Sequence, residues 1–236
     1  MSLWVKVCGP REPEEAVAVA ALGVDAVGIN LVGGSPRHLA PAAARRVCDA
    51  LAAAHPEVER IGVTVNFGAG VGEYVELVEA VGLTAVQLHG DEPPELLKGL
   101  VAAGIPVVRA LRVGAGDDRA ATEAAVAAAI AGGARVLLDA RVQGAYGGTG
   151  ERLDAALVRW LLARQPLIVA GGLTPENVGE VVSDGLQAAG AGGRLRGVDV
   201  ASGVENDQGR KDLGAVRRFL GAVRSAERQH SQRQGG

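Results

Sequence analysis

Only two cysteines, Cys8 and Cys48, occur in the 236 residues. They stand too far apart for a metal-ligating pair or a secreted disulfide framework, which points to a reducing compartment. Excess charge is also lacking: 24 basic and 27 acidic residues leave a formal net charge of −3. That balance argues against a basic nucleic-acid binder and against an acidic disordered chain. Long hydrophobic runs are missing as well. No segment is apolar for the roughly 20 residues that a membrane helix requires, and no apolar stretch follows a basic start as in a secretory signal. The expectation is a cytoplasmic chain with no membrane and no nucleic-acid partner.

What is present is enough apolar surface for a large core, with 48% hydrophobic residues. Short runs rich in Val, Ile and Leu alternate with longer stretches rich in Ala, Glu and Arg, the mark of repeated βα units. Strands are predicted at Trp4–Cys8, Ala26–Leu31, Arg60–Val65, Ala85–Leu88, Val107–Leu111, Val136–Asp139, Leu167–Ala170 and Gly197–Val200. Prolines and glutamates at Pro13-Glu14-Glu15, Pro41, Pro93-Pro94-Glu95 and Thr174-Pro175-Glu176 read as helix starts. Glycines 23, 82, 104 and 132–133 read as helix ends. Eight such units with no dividing linker predict an α/β fold, a single (β/α)8 TIM barrel spanning 1–224. The segment 225–236 has no large apolar residue to anchor it and is expected to be disordered.

In such a barrel, active sites lie at the carboxyl ends of the strands. Those ends read Cys8-Gly9, Asn30-Leu31, Asn66, His89-Gly90-Asp91, Arg112, Asp139, Gly171-Gly172 and Ser202-Gly203. A thiol closing strand one and a carboxylate closing strand six can face one pocket as base and acid, the equipment of an isomerase. Alternation along a strand puts Lys6 on the face of Cys8, Gln87 on that of His89 and Leu137 on that of Asp139. An ammonium beneath Cys8 is expected to favour the thiolate and lower the thiol pKa. A lone strand cysteine, without further context, more often serves as a small buried apolar group.

Three glycine-rich loops, Gly147-Gly148-Thr149-Gly150, Gly171-Gly172-Leu173-Thr174 and Ser202-Gly203, follow strands six, seven and eight. Any one of them fits a tight turn, but together they fit a phosphate clamp of backbone N–H groups. Arg37, in the loop after strand two, is placed to take a substrate carboxylate bidentately, although a loop arginine is also compatible with plain solvation. His38 beside it reads as surface.

Lys6-Val7-Cys8-Gly9, Ser35-Pro36-Arg37, Val86-Gln87-Leu88-His89-Gly90-Asp91-Glu92, Leu138-Asp139 with Tyr146-Gly147-Gly148-Thr149-Gly150, Ala170 to Val178, and Val198 to Glu205 together resemble the phosphoribosylanthranilate isomerase family of tryptophan biosynthesis. The resemblance runs from strand one to strand eight. The related barrel isomerase of histidine biosynthesis differs in having an aspartate where this chain has Cys8. What the resemblance implies is a cofactor-free and metal-free Amadori rearrangement. It would convert N-(5-phosphoribosyl)anthranilate into 1-(2-carboxyphenylamino)-1-deoxyribulose 5-phosphate by an intramolecular oxidoreductase acting as a monomer or homodimer. Carried over, Asp139 is the general acid at the furanose oxygen and Cys8 the general base at C2. Arg37 holds the anthranilate carboxylate. Gly148, Thr149, Gly171, Gly172, Ser202 and Gly203 hold the phosphate, while Lys6, Gln87, His89 and Asp199 line or support the pocket.

The chain departs from the family pattern at Ile29-Asn30-Leu31-Val32-Gly33-Gly34, where an aromatic-rich run is common, and at Leu153-Asp154-Ala155 and Pro10. With only 3% aromatic residues, part of the aryl pocket is expected to be remade. This leaves two other readings open: a paralogue acting on a different N-phosphoribosyl arylamine, and a non-catalytic sugar-phosphate-binding barrel.

Overall fold

Strands whose two faces are both covered, one by the barrel interior and one by helices, must be apolar nearly throughout. That is how the eight short strands read: Ala85–Leu88 is buried at every position, and Val5–Cys8 likewise. The computed structural model describes residues 2–68, 70–114, 116–140, 154–188 and 194–234. In chain order the elements are β1 (Trp4–Cys8), α1 (Pro13–Ala20), β2 (Ala26–Asn30), α2 (Pro41–Ala54), β3 (Glu59–Thr64), α3 (Val71–Val81), β4 (Ala85–Leu88) and α4 (Pro94–Ala102). They continue with β5 (Val107–Val113), α5 (Arg119–Ala131), β6 (Arg135–Ala140), α6 (Ala155–Leu162), β7 (Leu167–Val169), α7 (Val178–Ala188), β8 (Leu195–Val200) and α8 (Leu213–Gln234). The strands form a closed barrel in sequence order, and every neighbouring pair is parallel, β1 with β8 included. The predicted (β/α)8 architecture is the one observed, with strand ends within two residues of expectation.

The core has two parts, as the barrel geometry requires. Ala26, Ile61, Ala85, Val108, Ala110, Leu137, Ile168 and Ala170 form the cluster of the inward-facing rows. A larger cluster, with Val7, Leu51, Tyr74, Leu138 and Phe219 among its members, joins the outer strand faces to the helices. At the end of the barrel away from the strand carboxyl termini, Glu59 accepts the Trp4 indole N–H at 2.8 Å and one Arg135 N–H at 2.8 Å. Arg135 also lies over the Trp4 ring. That floor is structural, and it leaves the chemistry to the opposite rim.

Two local expectations differ from the structure. Helix α7 begins at Val178 rather than at Thr174-Pro175, because the Asn177 side chain accepts the Thr174 N–H and donates to the Gly172 carbonyl, holding residues 172–177 as a loop. Helix α8 continues to Gln234, where disorder from 225 is expected from the sequence. Arg224 donates to the Leu3 carbonyl at 2.7 Å, Glu227 accepts the Leu3 N–H and Ala226 is buried. Polar anchors to the start of β1 therefore replace the large apolar residues that the segment lacks. Among the described residues, no helix is long and apolar enough to cross a membrane.

Candidate active site

The register of β1 with β8 sets Lys6 directly beside Asp199, and that of β1 with β2 sets Cys8 beside Gly28. Lys6 is fully buried, and its Nζ lies 2.8 Å from Asp199 Oδ2. Burial alone would lower the Lys6 pKa, but Asp199, with help from Cys8, holds it above its ordinary value. Cys8, at the rim, is 8% exposed. Its thiol pKa is raised, not lowered as expected from the sequence: burial outweighs the pull of Lys6, and Asp199 opposes ionisation further. The ammonium is where strand alternation puts it. Its charge, however, is already matched by the Asp199 carboxylate.

Across the pocket, Asp139, the penultimate residue of β6, ends a buried chain of polar contacts. Gln87 Nε2 lies 3.0 Å from His89 Nδ1, and His89 Nε2 lies 3.1 Å from Asp139 Oδ2. An amide N–H facing Nδ1 makes that nitrogen the acceptor, so Nε2 carries the proton and donates to Asp139. The Ala140 N–H donates to the other carboxylate oxygen at 2.9 Å. Gln87 Oε1 is buried with no hydrogen-bond partner among the described residues. The loop bearing His89 is held by Glu92, which accepts N–H bonds from Gly90 and Asn66 and pairs with Arg109 at 2.6 Å. Asn66 adopts φ 47°, a left-handed conformation that asparagine tolerates better than most residues.

Arg37 crosses above Gly9, where φ is 88° and any added Cβ would overlap the arginine stem. Its guanidinium is already engaged: Nε and Nη2 each donate to Glu205 at 2.7 Å. This hydrogen bonding raises the pKa of Arg37, and against the effect of burial Arg37 and Lys211 hold the Glu205 carboxyl below its ordinary range. Lys211, its side chain fully buried, lies 2.7 Å from Glu205 Oε1 and 3.1 Å from the Ala201 carbonyl. Neither Glu205 nor Lys211 stands out as functional in the sequence. The only local signal is a Ser-Gly-Val-Glu motif followed six residues later by a lysine, which reads as a solvated loop.

On the third side, the loops after β7 and β8 meet. Gly203 lies so close to the Leu173 carbonyl that a side chain there would overlap it, and a short 3-10 turn over Ser202–Val204 follows. Gly171, Gly172, Ser202 and Gly203 line the same pocket as Cys8, Arg37, Gln87, His89, Asp139 and Asp199. Lys6 sits one layer below. The expected positions Gly148 and Thr149 lie outside the described residues. The aliphatic part of the pocket lining includes Val32, Val63, Val65, Leu173 and Val200. No Phe, Tyr or Trp among the described residues lines the pocket, in keeping with the missing aromatic run.

Residues 5–222 match the family model described as N-(5'phosphoribosyl)anthranilate (PRA) isomerase. The N-(5'-phosphoribosyl)anthranilate isomerase of Myxococcus xanthus is 46% identical, over 95% of this chain and 98% of that protein. The Thermus thermophilus phosphoribosyl anthranilate isomerase superposes with a TM-score of 0.75 at 34% identity, covering 94% of this chain and 99% of that one. A structure of phosphoribosyl anthranilate isomerase in complex with reduced 1-(o-carboxyphenylamino)-1-deoxyribulose 5-phosphate superposes with a TM-score of 0.73 at 31% identity, with the same coverage. With a match running from β1 into α8 and relatives aligned over nearly their whole length, the chain belongs to the N-(5'-phosphoribosyl)anthranilate isomerase family.

Proposed function

We propose that the pocket catalyses the Amadori rearrangement of N-(5-phosphoribosyl)anthranilate with Asp139 as general acid and Cys8 as general base. The observation that carries this reading is the separation of the two groups. Each ends its own strand on one pocket, three strands apart around the ring, and each has its own polar network, Lys6 and Asp199 below the thiol and His89 and Gln87 behind the carboxyl. Environments that differ in this way let two titratable groups hold opposite protonation states.

In the first step, protonated Asp139 gives its proton to the furanose oxygen. The C1–O bond breaks, and the nitrogen lone pair forms the C1=N bond of an iminium. In the second, the Cys8 thiolate takes the proton from C2, and the C–H electrons form C1=C2 and neutralise the nitrogen. The enolamine then tautomerises to the ketone, C1 gaining a proton as the C2 hydroxyl loses one. A buried thiol is a poor base at rest, but the iminium adds a positive charge to the pocket when the base is needed, and that charge favours the thiolate, the thiol proton passing to solvent.

The same chain of contacts supports the acid role. With Gln87 holding the His89 ring by Nδ1, the Nε2–H can still be accepted by the carbonyl oxygen of a protonated Asp139, which leaves the acidic O–H for the furanose oxygen. Arg37 holds the anthranilate carboxylate and the backbone of Gly171, Gly172, Ser202 and Gly203 the phosphate, so both ends of the substrate are anchored while the ribose lies between acid and base. A reducing cytoplasm suits a catalyst that works through a free thiol.

The test is to generate N-(5-phosphoribosyl)anthranilate in situ and follow the loss of its fluorescence on adding the protein. Wild-type protein should consume it, whereas Cys8→Ala and Asp139→Asn should not. A wild-type protein that fails to consume it, or either variant turning over at near-native rate, would overturn the assignment.

A further inference from the structure

An arginine whose Nε and Nη2 already face a carboxylate forms a neutral pair, and a neutral pair has little attraction for a second anion. Arg37 is in that condition, with side-chain exposures of 12% for the arginine and 10% for Glu205. If Arg37 is to bind a substrate carboxylate, the positive charge must come from somewhere else. Lys211 is the described cation placed to supply it.

We propose that buried Lys211, acting through Glu205, provides the net positive charge and the guanidinium orientation with which Arg37 receives the substrate carboxylate. This rests on the reading of Arg37 as the carboxylate ligand, and it makes Lys211 and Glu205 positioning residues. The three side chains form one unit. Glu205 Oε1 is shared between Arg37 Nε at 2.7 Å and Lys211 Nζ at 2.7 Å, while Oε2 takes Arg37 Nη2. Two cations on one anion leave a charge of +1, which one substrate carboxylate neutralises.

The geometry also selects the approach. A carboxylate can meet a guanidinium side-on, at Nε and Nη2, or end-on, at Nη1 and Nη2. Glu205 occupies the side-on edge, so a second carboxylate is left the end-on edge, and Arg37 cannot swing away without breaking two charge-assisted bonds. The unit is tied to the catalytic strand as well. An antiparallel bridge joins Glu205 to Lys211, and the Lys211 N–H donates to Glu15 in α1, the helix that follows Cys8. Burying an ammonium completely is costly unless it is paired and hydrogen-bonded. Its two acceptors here, Glu205 and the Ala201 carbonyl, both belong to the loop after β8.

The experiment compares two ligands, the reduced product analogue and the same compound lacking the ring carboxyl, by calorimetry against wild type, Lys211→Met, Lys211→Arg, Glu205→Gln and Arg37→Ala. Lys211→Met should weaken the carboxylated ligand by about tenfold to a hundredfold, the range of one charge-assisted hydrogen bond, and leave the other ligand nearly unchanged. In the fluorescence assay KM should rise with kcat nearly constant, and Lys211→Arg should restore both. Glu205→Gln should bind the carboxylated ligand at least as tightly as wild type, because the site becomes more positive, while kcat falls because the guanidinium is no longer held. That variant tests the idea even if Lys211→Met folds poorly. Equal weakening of both ligands by Lys211→Met, or no weakening, overturns the inference when Arg37→Ala does discriminate between them. If Arg37→Ala itself shows no preference for the carboxyl, the Arg37 assignment falls, and the inference with it.

Discussion

Replacing Asp199 by Asn tests how the barrel tolerates a fully buried lysine. At 2.8 Å, with an effective dielectric of about 20, the attraction between Lys6 and Asp199 is about 6 kcal/mol before desolvation is subtracted. Removing one partner of a buried pair typically costs about 3–5 kcal/mol, because the other charge is left uncompensated. In this site the stranded ammonium has an alternative counterion in the Cys8 thiol, which Lys6 favours in its charged form and Asp199 disfavours. Asp199→Asn should therefore do two things together: lower the stability read from urea unfolding by an amount below the full loss, and move Cys8 ionisation to lower pH, read by thiolate absorbance or alkylation rate. Adding Cys8→Ala should restore the full loss, and Lys6→Met with Asp199→Asn should recover most of the stability. A Cys8 titration unchanged in Asp199→Asn, with unfolding like wild type, would show that Asp199 is not what compensates Lys6.

Cys8→Ala and Asp139→Asn should each lower kcat on the order of a hundredfold to ten-thousandfold, with little change in affinity for the product analogue by calorimetry. In wild-type protein without ligand, alkylation of Cys8 should titrate above the ordinary thiol value of about 8.5, since burial raises it; a midpoint below that value would refute the electrostatic picture. Gln87→Leu should lower kcat by about tenfold to a hundredfold through loss of His89 alignment, and nitrogen NMR should show His89 losing its Nε2–H preference; an unchanged tautomer would separate Gln87 from the acid. Burial pushes the Cys48 thiol up to about 12. The unfolded chain therefore loses this proton first as pH rises, so stability is fully present below about pH 9 and falls towards pH 12, by about 4 kcal/mol at roughly 1.4 kcal/mol per unit. Alkaline unfolding of Cys48→Ala should lack that decline, and a parallel decline in both proteins would refute it.

Much of the architecture is local and therefore legible in the chain. Doubly covered strands read as apolar runs, proline and glutamate open α1 and α4, and a left-handed glycine, Gly82, closes α3. Strand alternation is equally local, which is why Lys6 could be set under Cys8 and Gln87 behind His89 before any tertiary contact was known. Partnership is different. Lys6 and Asp199 are 193 residues apart, and Arg37 and Glu205 are 168 apart. Only closure of β8 onto β1, in one particular register, makes them neighbours. Burial is decided at the same level, and it reversed the expected direction of the Cys8 pKa. The thiol at the end of β1, the carboxyl near the end of β6 and the glycines after β7 and β8 can all be read from the chain, because each follows from local strand and turn patterns. Tertiary structure decided that Asp199 already matches the charge of Lys6 and that Glu205 already holds Arg37, because the field at each group is set by whatever the closed ring brings within a few ångströms of it.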